Sequence, residues 1–180
     1  MSRIDESMEF VPVRIAVLTV SDTRSLEEDK SGNVLVDRIK EAGHSLVDRK
    51  IVQDERSLIS DQLRVWIADE SVDVVLSTGG TGLTGRDVTV EAHRDVYEKE
   101  IEAFGTVFTI VSMQKIGTSA VQSRATGGVA GGTYLFALPG SPGACKDAWD
   151  EILRLQLDYR HRPCNFVEIM PRLEEHKRRK

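Results

Sequence analysis

The hydrophobic positions in the first half of the chain alternate between strand-length runs and helical periods. Residues 13–20 form a nearly continuous apolar run, which predicts a strand covered on both faces. Leu35, Ile39 and Ala42 then recur at helical spacing before a glycine, and this pattern predicts a helix that ends there. The apolar pairs within residues 46–52 predict the next strand.

The same alternation continues with a second helix and a third strand. Ile59, Leu63 and Trp66 share one helical face, so Trp66 is expected in the core. Residues 72–77 form the third apolar run. Three β-α units in succession predict a parallel sheet with right-handed crossovers, in which ligands gather beyond the carboxyl ends of the strands.

The second half of the chain predicts longer helices and one hairpin. Gly131 and Gly132 separate two apolar runs, a signal for a type I′ turn that adds an antiparallel edge to the sheet. A last helix is expected to run to about residue 159, with a stripe of Ala144, Ala148, Ile152 and Leu155. Residues 89–115 are predicted to be mainly helical, with buried positions at Ala92, Val96, Ile101, Phe104 and Phe108.

These elements predict a single α/β domain. Its architecture is expected to be a three-layer sandwich, with a mostly parallel sheet, an antiparallel edge hairpin and helices on both faces. The domain is assigned to residues 11–168, and residues 1–10 and 169–180 are expected to be flexible or peripheral arms. With 180 residues, of which 40% are hydrophobic, the chain is long enough for one sizeable core.

Charge and hydropathy exclude two classes of partner. A net charge of −5 argues against a general nucleic-acid surface. No apolar run approaches the ~18 residues of a membrane span and no signal peptide is evident, so we expect a cytoplasmic protein without a membrane partner.

A glycine-rich turn is the most informative local feature. The third strand leads into Gly79, Gly80, Thr81 and Gly82, and Asp87 follows. Glycines remove the side chains that would keep a phosphate away from backbone N–H groups. Because a carboxylate repels phosphate unless a divalent cation lies between them, the pair predicts a nucleotide or phosphate with Mg²⁺. The alternative is a tight turn with a solvated or capping aspartate.

Other glycine motifs fit less well. The chain has no Walker A lysine, and residues 80–85 match Gly-x-Gly-x-x-Gly only after two earlier β-α units, where a nicotinamide or flavin fingerprint does not belong. Residues 140–143 do not match the Gly-x-Ser-x-Gly of a nucleophile elbow.

Acids follow all three predicted parallel strands. Asp22, Asp54 and Asp87 are therefore expected at one edge of the sheet. A second glycine-rich strand exit, at residues 139–143, predicts a second anion cradle with Lys146 in the following helical turn. A simply solvated lysine is an equally good interpretation.

Residues 78–92, from Thr78-Gly79-Gly80-Thr81-Gly82 through Arg86-Asp87, resemble the signature of the MoaB/MogA family of molybdenum cofactor biosynthesis proteins. Val20-Ser21-Asp22 and the segments 52–55, 117–124 and 138–142 match the family's order and spacing. The resemblance covers roughly residues 11–168, and the compact length with the 160–166 ending is most similar to the B branch.

The resemblance implies a domain that binds molybdopterin and uses MgATP to adenylylate it, releasing pyrophosphate. The family's two catalytic acids, which would also hold Mg²⁺, match Asp54 and Asp87. One departure is Val90, where the family often has proline. The implied pterin and nucleotide pocket comprises Ser21, Asp22, Gly79, Gly80, Thr81, Gly82, Glu91, Ser123, Arg124, Gly140 and Ser141, to which we add Lys146.

The resemblance also implies partners. It suggests a trimer or a hexamer, and the apolar stretch 104–113 covers more than one helical face, as expected of a helix buried on several sides. A downstream molybdenum insertase is a further expected partner. An alternative function is a molybdopterin-binding or assembly protein without catalytic activity in the same pathway, serving either molybdenum or tungsten.

Overall fold

A mixed six-stranded sheet runs through the centre of the computed structural model, which describes residues 3–178. The strands are β1 (Arg3–Ile4), β2 (Arg14–Val20), β3 (Ser45–Val52), β4 (Val74–Thr78), β5 (Lys99–Glu100), β6 (Thr126–Ala130), β7 (Thr133–Leu138) and β8 (His161–Arg162). The helices are α1 (Lys30–Glu41), α2 (Arg56–Ile67), α3 (Thr89–Arg94), α4 (Glu102–Ile116), α5 (Pro142–Ala148), α6 (Arg154–Gln156), α7 (Phe166–Ile169) and α8 (Glu175–Arg178).

The strand order of the central sheet is β3-β2-β4-β7-β6-β5. The first four strands are parallel, whereas β6 runs antiparallel to β7 and β5 antiparallel to β6. Side chains along β2 alternate between two cores: Ile15 and Val17 pack with α1, α4 and α5, and Ala16 and Leu18 pack with α2 and α3. The predicted α/β sandwich with an antiparallel edge is confirmed.

Local sequence signals account for the predicted turns. The side chain of Asp29 accepts a hydrogen bond from the backbone of Gly32 and starts α1, and Gly43, at φ 85°, follows its end. Gly131 and Gly132 have φ values of 55° and 83°, so both central residues of the β6-β7 turn are left-handed. The type I′ hairpin requires this conformation, and the prediction is confirmed.

The segment 89–115 is mainly helical, as predicted, but a short strand interrupts it. Strand β5 separates α3 from α4, because Glu98 and Ile101 donate backbone hydrogen bonds to β6 at 2.8 and 2.7 Å. Gly128 on β6 leaves room for the ring of Tyr97, since a Cβ there would lie 2.3 Å from that ring. Glu100 therefore lies in an edge strand, where helical periodicity does not reveal it.

The last predicted helix is also interrupted. A wide π turn, Trp149–Leu153, joins α5 to α6, and the helix ends at Gln156 rather than near residue 159. A π turn contains one residue more than an α-helical turn, so the side chains after it lie on a different face of the helix. Leu153 and Leu157 are consequently buried, whereas Leu155, which the stripe predicts on the buried face, is only half-buried.

The two terminal arms lie against the domain where the structure describes them. Arg3 and Ile4 form an antiparallel pair with β8, and Met170 and Leu173 pack against the larger core. Over these residues, both arms therefore lie at the periphery of the domain. None of the helices in the described range combines the length and apolar character needed to cross a membrane.

Candidate functional site

The carboxyl ends of β2, β3 and β4 meet at one edge of the sheet, as their parallel pairing requires. The loops that follow these strands carry Asp22, Asp54 and Asp87. The backbone N–H of Asp54 donates to the carboxylate of Asp22 at 3.2 Å, which ties the first two loops together. The expectation that all three acids lie at one edge is confirmed.

The glycine turn after β4 depends on its missing side chains. Gly79 and Gly80 have φ values of 102° and 62°. A Cβ on Gly79 would lie 2.3 Å from the carbonyl oxygen of Val20, and one on Gly80 would lie 2.5 Å from the Thr89 hydroxyl and 2.9 Å from an Asp54 carboxylate oxygen. Side chains at either position would be strained and would displace a neighbour.

The three acids differ in how their charges are compensated. Asp22 is bonded by Arg86 at 2.7 Å, and this arginine lowers the pKa of its carboxyl. Asp54 is half-buried, and within residues 3–178 its carboxylate has no side-chain partner as close as the one Arg86 gives to Asp22; the backbone of Asp22 and the charge of Arg86 compensate it only in part. Burial raises the pKa of Asp54, and the negative charges of Asp22 and Asp87 raise it further. Asp54 is thus the acid that most needs an external cation.

Asp87 stays ionised through its own loop. One carboxylate oxygen accepts hydrogen bonds from the backbone and hydroxyl of Thr84, at 2.8 and 2.6 Å, and these bonds lower the pKa of Asp87. Asp87 therefore closes its turn through one carboxylate oxygen, as the capping interpretation expects.

Arg124 is directed at the turn itself. Its Nε donates to the carbonyls of Thr81 and Gly82 at 3.0 Å, and one Nη donates to the Asp87 carbonyl at 3.3 Å. The guanidinium also pairs with Glu91. The sequence predicts that Arg124 and Glu91 line the pocket. Their contacts show that they hold the glycine turn in place.

Replacing Arg124 by Lys is expected to lower the free energy of unfolding by about 1–3 kcal/mol, because an ammonium cannot supply the planar fork that reaches three carbonyls and a carboxylate. Urea denaturation measures this change. Arg64→Lys, at an exposed surface pair on α2, is the matched control and is expected to have little effect. An unchanged stability for Arg124→Lys would contradict the role in holding the turn.

The second glycine-rich exit lies beside the first. Gly79 donates its backbone N–H to Leu138 at 3.1 Å, and a Cβ on Gly140 would lie 3.1 Å from the Cα of Gly79. Ser141 caps α5 by accepting from Ala144. The two predicted cradles therefore form one continuous loop cluster.

Three other predicted site residues differ in their exposure and in their hydrogen bonds. Ser21 follows β2, and its hydroxyl accepts backbone hydrogen bonds from Thr23 and Arg24. Ser123 is half-buried beside Arg124. Lys146 is exposed on α5 and shows no hydrogen bond or ion pair in the described part of the chain.

The family model described as a probable molybdopterin binding domain matches residues 16–159 of this chain. The chain is 52% identical to molybdenum cofactor biosynthesis protein B of Escherichia coli (strain K12) over 160 residues, covering 89% of this chain and 94% of that protein. The chain belongs to the MoaB/MogA family. It is also 43% identical to molybdenum cofactor biosynthesis protein B of Bacillus cereus, with 82% of this chain and 88% of that protein covered.

Solved structures of the family share the fold. A crystal structure of molybdenum cofactor biosynthesis protein B matches with a TM-score of 0.83 at 40% identity, covering 92% of this chain and 98% of that chain. The tungsten cofactor synthesizing protein MoaB from Pyrococcus furiosus matches with a TM-score of 0.68 at 32% identity, covering 93% and 98%.

Within residues 3–178, no three His, Cys, Asp or Glu side chains form a group that could hold a metal ion by themselves. Mg²⁺ next to a nucleotide needs fewer ligands, typically one or two carboxylates with substrate phosphates and water. The half-buried Asp54, whose charge is only partly compensated, and the ionised Asp87 fit a cation that a phosphate substrate helps to hold.

Sequence reasoning missed three residues at this edge. Arg86 bridges Asp22 and Glu55, and Arg24 donates to the Gly140 carbonyl at 3.3 Å. Both arginines lie in loops that follow parallel strands, and this position together with their positive charge could have identified them as site residues. The third, Thr89, is buried beneath the glycine turn and leaves no signal in periodicity.

Proposed function

We propose that this protein binds molybdopterin and, with MgATP, transfers AMP to it. The observation that carries the proposal is the half-buried Asp54 carboxylate, whose pKa is raised by burial and by Asp22. It lies next to left-handed Gly80 at the edge where the family signature and both glycine-rich exits converge. The family's description as a probable molybdopterin binding domain supports the pterin as the acceptor.

In the proposed reaction, an oxygen of the pterin's terminal phosphate attacks the α-phosphorus of ATP. The new P–O bond forms as the bond from the α-phosphorus to the bridging oxygen breaks, and pyrophosphate leaves with that electron pair. The nucleophile is already anionic, so no general base is needed. Catalysis then depends on positioning and charge neutralisation.

The residues of this chain divide those two tasks. Asp54 and Asp87 would hold the cation, which would supply charge neutralisation for the ATP phosphates. Gly80 would offer its backbone N–H to the phosphates, because the N–H groups of Gly79 and Gly82 already donate to Leu138 and Asp87. Arg124 with Glu91 keeps that turn rigid. The remaining lining residues are Ser21, Asp22, Thr81, Ser123, Gly140, Ser141 and Lys146.

The decisive experiment is incubation of the purified protein with molybdopterin and MgATP, with detection of adenylylated pterin and pyrophosphate. A reaction without Mg²⁺ is the control. Molybdopterin binding without AMP transfer would replace this proposal by the alternative of a binding or assembly protein in the same pathway. Transfer of the product to a molybdenum insertase stays a prediction.

The exposed side of α4 leads to the proposal of a homo-oligomer, a trimer or a hexamer. Phe104 and Phe108 fill the core, whereas Val107, Ile110 and Met113 on the same helix are 41%, 52% and 50% exposed. Such an apolar face on a soluble domain is typical of a protein contact. A second copy of this chain is the partner that we propose.

We expect light scattering at micromolar concentration to give a multiple of the 20.0 kDa chain mass. Ile110→Glu is expected to reduce that mass, because burying an unpaired carboxylate in the contact is unfavourable. Val65→Glu, at a 59% exposed position on α2, is the matched control and should leave the mass unchanged. A wild-type mass of one chain would refute the oligomer.

A further inference from the structure

The hydroxyl of Thr89 is buried without a partner. Thr89 is the first residue of α3, its exposure is 0%, and no donor or acceptor in the described residues reaches its Oγ1. A buried hydroxyl without a hydrogen bond destabilises the fold, and valine would fill the same volume without that penalty. A threonine at this position is therefore better explained by a ligand that its hydroxyl contacts than by the fold alone.

The Thr89 hydroxyl faces the candidate site. A Cβ built on Gly80 would lie 2.5 Å from this hydroxyl oxygen and 2.9 Å from Oδ1 of Asp54, so both oxygens flank the same bare glycine. The backbone N–H of Thr89 donates to the Gly80 carbonyl at 2.9 Å and fixes the residue there. Because Gly80 has no side chain, both oxygens approach its backbone closely and no side chain of that residue separates them.

The local charge favours a cation between these oxygens. The half-buried Asp54 carboxylate lies at the same edge as two further acids, Asp22 and Asp87, whose negative charges act on it. Mg²⁺ takes oxygen ligands, and a Ser or Thr hydroxyl serves in this way beside nucleotide phosphates in P-loop proteins.

We infer that the Thr89 hydroxyl is an oxygen ligand of the divalent cation held by Asp54, which gives the site a neutral ligand in addition to its carboxylates. The inference rests on the proposed function, since the cation is the one that accompanies ATP. It assigns a role to a buried threonine that the glycine signature alone leaves without one.

The test is the affinity for Mn²⁺, measured by electron paramagnetic resonance in the presence of a non-hydrolysable ATP analogue. Thr89→Val is expected to weaken Mn²⁺ binding on the order of tenfold, whereas Thr89→Ser, which keeps the hydroxyl, should restore it. Thr133→Val, at a buried threonine whose hydroxyl bonds to Val72, is the matched control with unchanged affinity.

A double-mutant cycle separates a ligand from a structural residue. In an Asp54→Asn background, Thr89→Val should cause little further loss, because the cation that both residues hold has already gone. Unchanged Mn²⁺ affinity in Thr89→Val would overturn the inference while leaving the proposed function intact. A wild-type protein that binds no Mn²⁺ with the nucleotide would overturn both. If the valine variant does not fold, Thr89→Ala gives the same readout.

Discussion

Replacing Asp87 by Asn is expected to lower AMP transfer to molybdopterin by about 10²–10³-fold, the usual effect of removing one charge-stabilising group from a transition state. Pterin binding should remain nearly intact. The structure explains why the fold should survive: the Asn carbonyl oxygen can still accept the two hydrogen bonds from Thr84 that close the loop. The change therefore removes the charge and keeps the turn.

A turnover assay beside a molybdopterin titration measures the two effects separately. Asp61→Asn, at an exposed surface pair on α2, removes the same charge away from the site and should leave both values unchanged. Equal loss of turnover and pterin binding would contradict the role of Asp87 in holding the cation, and so would full turnover.

The sequence predicts the parallel half of the sheet well, for a physical reason. Strands β2 and β4 are buried on both faces, so their sequences are predominantly apolar. Strand β5 has two residues, both exposed, and its existence depends on pairing with β6. No local pattern contains that information, and the segment therefore resembles the helices on either side.

The candidate site divides in the same way. Asp22, Asp54 and Asp87 could be placed at one edge because each follows a parallel strand, which is a local observation. The contacts of Arg124 with the glycine turn span more than 40 positions along the chain, from residue 124 to carbonyls at 81 and 82. Charge suggests a phosphate ligand there, and only the folded geometry directs the guanidinium at the turn.

The burial of His93 and its hydrogen-bond partners could not be predicted from the sequence either. His93 on α3 is fully buried, with Nε2 2.8 Å from the Ser77 hydroxyl and Nδ1 3.3 Å from the Tyr97 hydroxyl. Ser77 lies in β4, two residues before the glycine turn, so this contact fixes α3 and Thr89 relative to the site. Burial lowers the pKa of His93 from 6.5 to about 3.

Acidification is therefore expected to destabilise the protein through His93. The unfolded chain takes up a proton below pH 6.5, whereas the folded chain keeps His93 neutral until about pH 3. Stability is fully present above pH 6.5 and is lost as the pH falls towards 3, on the order of 2 kcal/mol by about pH 5. His44, whose pKa is lowered to about 4 by burial, adds to the same slope.

Urea denaturation at about pH 7 and about pH 5, at one protein concentration, measures this loss. His93→Gln keeps a polar group that can bond to Ser77 and removes the titration, so we expect its stability to fall less between the two pH values than that of the wild type. His176→Gln, at an exposed position on α8, should retain the wild-type difference. Equal losses in wild type and His93→Gln would mean that His93 is protonated in the folded protein, and would refute its neutral role in anchoring α3 beside the glycine turn.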